Sequence, residues 1–268
     1  MANSASRLDV APAPGDGYVQ SFARGLTVIC SFSALAPRQT LSEVAARTGL
    51  TRAGARRNLL TLQTLGYVAA DGKHFWLTPR ILELGFAYLS SLPVWNLAGP
   101  VMEHLADEVK ESCSAAVLDG SDIVYVLRVH THKIMSLNLG VGSRLPAYCT
   151  SMGRTLLACL PDEQVEQRLR ACDLRARTLR TVTSVRELMQ RIQQVRAQGW
   201  CLVDQELEEG LISMAAPVLN QAGETVAALN ISGQANRTSA KVMQQTMLPA
   251  LREAAKTISL LLHRKSPH

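Results

Sequence analysis

The sequence predicts an α+β protein of two domains, a small helical one followed by a larger one built on an antiparallel sheet. Three observations lead there. Two short helices joined by a tight turn, then a hairpin, occupy the first 80 residues. Strand pairs mixed with flanking helices fill the rest, the pattern of an α+β sheet domain. Charge is uneven as well: residues 1–80 carry nine Lys/Arg against four Asp/Glu, and residues 81–268 carry nineteen against eighteen. A net charge of +6 concentrated in the first third points to nucleic-acid binding there and to a second task for the nearly neutral remainder.

The N-terminal elements follow from local signals. Residues 1–17 are polar, rich in Ala, Pro and Gly, and lack an apolar signal segment; they read as a disordered tail. Phe22 to Phe32 reads as a helix with Phe22, Leu26, Ile29 and Cys30 on one face. Thr40-Leu41-Ser42-Glu43 is a capping box opening a helix that stops at Gly49. Thr51 caps the next helix, where Ala55, Leu59, Leu62 and Leu65 form an apolar stripe. Two helices joined this tightly make a helix-turn-helix. Tyr67–Ala70 and Lys73–Leu77, joined by Asp71-Gly72, read as a hairpin with a type I′ turn and complete a winged motif. Thr78-Pro79 starts a further helix, Ile81 to Leu92, whose apolar face suits a partner subunit.

The second helix of the motif would be the recognition helix. Its start carries Arg52, Arg56 and Arg57, turned away from the apolar stripe. Arginine presents a bidentate fork to guanine and neutralises phosphate. Thr51, Asn58 and Thr61 are candidates for phosphate contacts, and Lys73 and His74 for contacts from the wing. The competing reading is a solvated basic face, with His74 an ordinary surface histidine.

In the larger domain, helices are expected over 97–112, 152–159, 161–169, 185–198 and 241–263. Strands are expected over 115–118, 123–129, 133–139, 200–204, 211–219 and 225–232. No run of 18 apolar residues exists, so no membrane partner or span is expected and a cytoplasmic protein is the default reading. GxGxxG and Walker A patterns are absent, and no cofactor is expected. The six cysteines form no CxxC pair, and His104, His130 and His132 lack metal-ligand spacing with partners, so no metal is expected either.

With these residues laid out, the chain resembles the IclR-type transcriptional regulators of bacteria. Three stretches carry the likeness: Leu41 to Thr51 running into Arg56-Arg57-Asn58-Leu59; Gly142 to Arg154; and Asp204-Gln205-Glu206 through Gly210–Ser213 and Ala215–Val218 to Ala228–Gly233. The likeness covers residues 18–265. His74 to Arg80 and Leu145 to Arg154 are also similar to the PcaR/PobR-like branch that controls aromatic-acid breakdown.

The resemblance implies a winged-helix domain over 18–80, a linker helix over 81–94 and a GAF-like effector-binding domain over 95–268. It implies a homodimer or tetramer on a palindromic double-stranded DNA operator, with RNA polymerase a further candidate partner. The implied effector is a small organic acid such as β-ketoadipate, protocatechuate or 4-hydroxybenzoate. Matching of motif positions implies effector contacts from Ser151, Met152, Asp204, Ser213, Asn230 and Ser232. Met152 departs from the small residues usual at its place in the family. Asn230 and Ser232, two apart on a strand, share a face. Thr150 opens the helix after Pro146, Tyr148 can stack on or hydrogen-bond a ligand, and Arg128, Arg144 and Arg154 can pair with a carboxylate.

Two other readings stand beside the regulator. A cysteine-based redox sensor needs two thiols within disulfide reach. A small-molecule hydrolase needs a nucleophile, a base and an orienter; no local motif supplies them, and Cys149 and Cys201 read better as buried, inert thiols.

Overall fold

A computed structural model describes residues 15–91, 94–130 and 139–264. Most of the expected tail (1–14) and most of the expected strand 133–139 therefore lie outside the described residues, as does His132. The chain divides into two compact units, Met1–Ser91 and Leu92–His268.

In the first unit, α1 (Gln20–Cys30) precedes the short strand β1 (Gln39–Thr40), α2 (Leu41–Thr48) and α3 (Arg52–Thr64). The strands β2 (Val68–Ala70) and β3 (His74–Leu77) follow, then a 3-10 turn at Pro79–Ile81 and α4 (Leu82–Ser91). The capping box closes as expected: Thr40 N donates to Glu43 Oε2 at 2.7 Å and Glu43 N to Thr40 Oγ1 at 3.3 Å. Val28, Val44, Ala45, Ala55, Leu59, Leu62 and Val68 form the core. Four expectations change here. Leu65 is half exposed and lies off the stripe, and Phe22 and Leu26 are exposed while Val28 is the residue of α1 that enters the core. The wing gains a third strand, because β1 pairs with β3 in the order β1-β3-β2; a two-residue strand has no periodicity to read. The turn centres on Gly72-Lys73, and only Gly72 has positive φ (92°), which is the type II′ pattern rather than I′.

The second unit opens with α5 (Val94–Val109), which buries Trp95, Ala98, Met102, Leu105 and Ala106. Lys110, at φ 55°, ends it before β4 (Ser112–Asp119), three residues earlier than the periodicity suggests. Then come β5 (Asp122–Val129), β6 (Arg144–Pro146), α6 (Ser151–Leu157), α7 (Asp162–Ala171), α8 (Val185–Gln198), β7 (Cys201–Asp204), β8 (Leu211–Leu219) and β9 (Thr225–Gln234). β6 was not foreseen; three residues ending in proline read as loop. The C-terminal helical run starts with α9 (Ala240–Val242), passes through a π turn at Met243–Met247 and ends as α10 (Leu248–Arg264).

The six strands form one antiparallel sheet in the order β6-β5-β4-β9-β8-β7. Strand residues alternate between its faces. Ala116, Ala215 and Ala228 face a core shared with α6, α7 and α8, through Met152, Leu156, Leu157, Val165, Leu188 and Ile192. α5 and α10 pack on each other and on the other face, where Leu219 N donates to Ser259 Oγ at 2.9 Å.

Candidate functional site

The recognition-helix candidates sit as follows. Arg52, Arg56 and Arg57 are exposed on α3, opposite the buried Ala55-Leu59-Leu62 stripe. None of them pairs with a carboxylate among the described residues, so their charge is turned outward. Thr51 acts as the N-cap, its Oγ1 accepting from Gly54 N at 3.1 Å. Asn58 is less available than expected: it is half-buried, and its Nδ2 donates to Gly54 O of its own helix at 2.9 Å. Thr61 Oγ1 donates to Arg57 O at 2.9 Å. Lys73 is exposed at the wing turn, whereas His74 has moved off the tip into β3, opposite Thr40.

Sequence reasoning passed over Arg38. Its guanidinium lies 4.1 Å from the Trp76 ring centroid and 2.7 Å from Asp71 Oδ2, tying the strand before α2 to the wing. Asp71 Oδ1 accepts from His74 N at 2.8 Å and Lys73 N at 3.1 Å, and these amides hold its carboxyl below the usual range.

In the second unit, sheet register assembles a polar row. Arg128 lies opposite Ser114 across β5/β4, Ser114 opposite Asn230 across β4/β9, and Ser232 opposite Ser213 across β9/β8. Cross-strand partners share a face, so residues far apart in sequence converge. Asn230 Nδ2 donates to Ser232 Oγ at 2.9 Å, and Arg128 Nη1 to Ser114 Oγ at 3.5 Å. Above the row, Ser151 and Met152 of α6 close a cavity whose other walls include Tyr125, Leu139, Leu207 and Leu211. The cavity volume is about 20 Å³, room for about one water.

Two polar atoms in this cavity are buried without a hydrogen-bond partner, Ser151 Oγ and Asn230 Oδ1. Buried polar groups are nearly always satisfied, so each asks for a missing partner. A serine hydroxyl can donate to a carboxylate, and an amide oxygen can accept from a hydroxyl. Arg128 is the only ionised side chain among the described residues lining the cavity; burial lowers its pKa while the nearby Tyr125 opposes that. The same burial pushes the Tyr125 hydroxyl and the Cys149 thiol up to about 12, so both stay neutral.

Other candidates are placed differently. Tyr148 is absent from the cavity wall: it is buried in the core, and its hydroxyl donates to Arg175 O at 2.6 Å. Asp204 also lies off the wall and pairs with Arg180 at 2.6 Å. Thr150 lines the cavity but its hydroxyl is engaged, accepting from Gly153 N at 3.2 Å and donating to Pro146 O at 3.0 Å. Arg144 forms surface pairs with Asp119 and Asp122, and Arg154 a buried pair with Glu206. Tyr125, Leu139, Cys149, Val203, Leu207 and Leu211 were not foreseen as wall residues. Val203, Leu207 and Leu211 lie along β7, the loop after it and the start of β8, and Tyr125 shares the face of Arg128 only through a bulge in the β4/β5 ladder, which alternation alone does not reveal.

Met152 is 1% exposed and fills space next to the orphan serine. Met152→Ala is expected to enlarge the cavity at a cost of about 2–5 kcal/mol in denaturant unfolding. A cost below about 1 kcal/mol would show that the thioether is not packed there.

A winged helix with an outward basic helix, joined in one chain to a cavity that carries a polar row, defines a DNA-binding regulator with a small-molecule sensor. Family models give the same answer. Residues 21–72 match the IclR helix-turn-helix domain, and residues 86–260 match the IclR C-terminal domain of bacterial transcriptional regulators. The chain belongs to the IclR family; it is a transcriptional regulator and not an enzyme.

The chain is 43% identical to the Pca regulon regulatory protein of Pseudomonas putida over 96% of its own length and 89% of that protein. A solved transcriptional regulator from Rhodococcus sp. RHA1 is 53% identical, with a TM-score of 0.82, covering 91% of this chain and 98% of that one. An IclR homolog from Microbacterium hydrocarbonoxydans, solved with 4-hydroxybenzoate, is 25% identical with a TM-score of 0.80, covering 92% and 100%.

Proposed function

We propose that this protein controls genes of aromatic-acid breakdown by sensing a small organic acid in the cavity between α6 and the sheet. The observation that carries this reading is the pair of buried, partnerless polar atoms, Ser151 Oγ and Asn230 Oδ1, in a cavity flanked by Arg128. An acid carrying a second polar group satisfies both, with its carboxylate toward Ser151 and Arg128. The Pca regulator and the 4-hydroxybenzoate complex support the same chemistry. Met152, Ser213 and Ser232 shape the site. Tyr148, Asp204 and Thr150 act one step away, by fixing the walls.

In the same proposal, α3 enters the major groove of a palindromic operator. Arg52, Arg56 and Arg57 make base and phosphate contacts, Thr51 and Lys73 contact phosphate, and Asn58 and His74 hold α3 and the wing in shape. α4 serves as the linker between the two domains. Its exposed Leu82, Leu84, Phe86 and Tyr88, with Phe22 and Leu26 of α1, support self-association. The protein acts on DNA in the cytoplasm, beside RNA polymerase.

Calorimetry with β-ketoadipate, protocatechuate and 4-hydroxybenzoate tests the site. Asn230→Ala is expected to weaken the acid that binds by about tenfold or more, the cost of a lost buried hydrogen bond. Operator affinity without effector should stay as in the parent. Equal effector affinity in variant and parent would place the site elsewhere.

A further inference from the structure

The effector reading leaves the most deeply buried ion pair among the described residues of the domain without a task. Arg154 is 3% exposed and grips Glu206 with both terminal nitrogens, each at 2.6 Å from a carboxylate oxygen. Its Nε donates to Tyr148 O at 2.8 Å, just before the cavity residues Cys149 to Met152. Glu206 is in turn pinned from outside. Its Oε2 accepts from Val182 N at 3.0 Å and its carbonyl from Thr181 Oγ1 at 2.6 Å. Beside it, Gln205 takes a positive φ of 61°, and its carbonyl accepts from Thr178 Oγ1 at 2.7 Å.

The placement of this pair matters more than its strength. Arg154 stands one helical turn after Ser151, on the wall formed by α6. Glu206 is bonded to Leu207, on the facing wall. A bidentate guanidinium–carboxylate pair fixes both distance and angle, so it ties the two walls at a set separation. The cavity at that separation holds about one water, far less than an organic acid needs. Entry therefore requires the walls to part, and the pair is the polar tie across that seam.

We propose that Arg154 and Glu206 are positioning residues that set how far the effector cavity opens, acting through Ser151–Met152 on one side and Leu207 on the other. In its functional consequence this rests on the effector reading above; the opening itself does not.

Two cysteines allow a test without effector. Cys149 lines the cavity, while Cys113 is buried on β4 with its side chain on the opposite face from Ser114. Burial raises both thiols to about 12, so neither is expected to label without an opening of its surroundings. The experiment is alkylation of the full-length protein with N-ethylmaleimide, resolved by site with mass spectrometry. Arg154→Lys keeps the charge but loses the fork. It is expected to raise labelling of Cys149 relative to Cys113 by about tenfold, because the cavity opens locally while the fold holds. Both sites rising together, or neither rising, would overturn the proposal, since a purely structural pair loosens the whole domain. If Arg154→Lys fails to fold, Thr181→Val leaves the pair intact and removes the strap on the Glu206 carbonyl, together with the bonds that Thr181 Oγ1 accepts from Arg177 N and Thr178 N. It should raise the same ratio by about threefold, and an unchanged ratio there overturns the proposal equally. Calorimetry of the parent with the three acids separates the two readings. If none binds while the Cys149 ratio rises, the effector assignment falls and the tie between the walls stands.

Discussion

Gly153→Ala is expected to cost the effector domain about 3 kcal/mol or more, at the upper end of overpacking effects. A Cβ built at Gly153 would lie 2.2 Å from Ala147 O and 2.3 Å from Ala147 Cα. These are backbone atoms, so no side chain can swing away to make room. The 3-10 turn at Ala147–Cys149 would have to lift off the start of α6. That lift would also break the Thr150 cap and the bond from Arg154 Nε to Tyr148 O. Thermal unfolding should show the second domain melting early. Since the winged-helix unit has its own core, its melting should stay near that of the parent. A variant as stable as the parent would show that the turn and helix are not in backbone contact.

The second large effect is expected on DNA. Arg56→Ala with Arg57→Ala removes two outward guanidinium groups from α3. Each lost base contact costs about 1–3 kcal/mol, and each lost phosphate contact reduces the slope of log affinity against log salt by about one. Gel shifts over a salt series separate the two roles. Binding should weaken by at least tenfold, and effector calorimetry should be unchanged because the residues lie in the other unit. Operator affinity equal to the parent at every salt concentration would remove α3 as the recognition helix.

How much of this was legible in the sequence depends on the range of the forces involved. The capping box at Thr40 and Glu43 and the Thr51 cap involve neighbours three residues apart, and both could be read directly. The pairing of Asn230 with Ser232 follows from strand alternation, another local rule. Tyr148 shows where such reasoning ends. Its position beside the Thr150–Met152 segment suggested a ligand contact, but its hydroxyl is claimed by Arg175 O, 27 residues away. Asp204 is claimed likewise by Arg180, 24 residues earlier. The Arg154–Glu206 pair spans 52 residues, and no local pattern announces such a partner. The strands β1 and β6 are two and three residues long, too short to show a period; pairing with a neighbour defines them.

The charge asymmetry gains a structural form. The basic excess of the first 80 residues includes three arginines on one exposed helix face, while the neutral remainder encloses a cavity with one cation on its wall among the described residues. A protein built this way should couple the two by linkage: an effector that shifts the protein between two states of different operator affinity must change its affinity for the operator.

The measurement that tests this most directly is operator affinity with and without each of β-ketoadipate, protocatechuate and 4-hydroxybenzoate, in the parent and in Asn230→Ala. The account predicts that one acid changes parental operator affinity by about 5–150-fold, and that Asn230→Ala shows the same effector-free affinity with that change lost. Operator affinity indifferent to all three acids, or an effector response undiminished in Asn230→Ala, would contradict it.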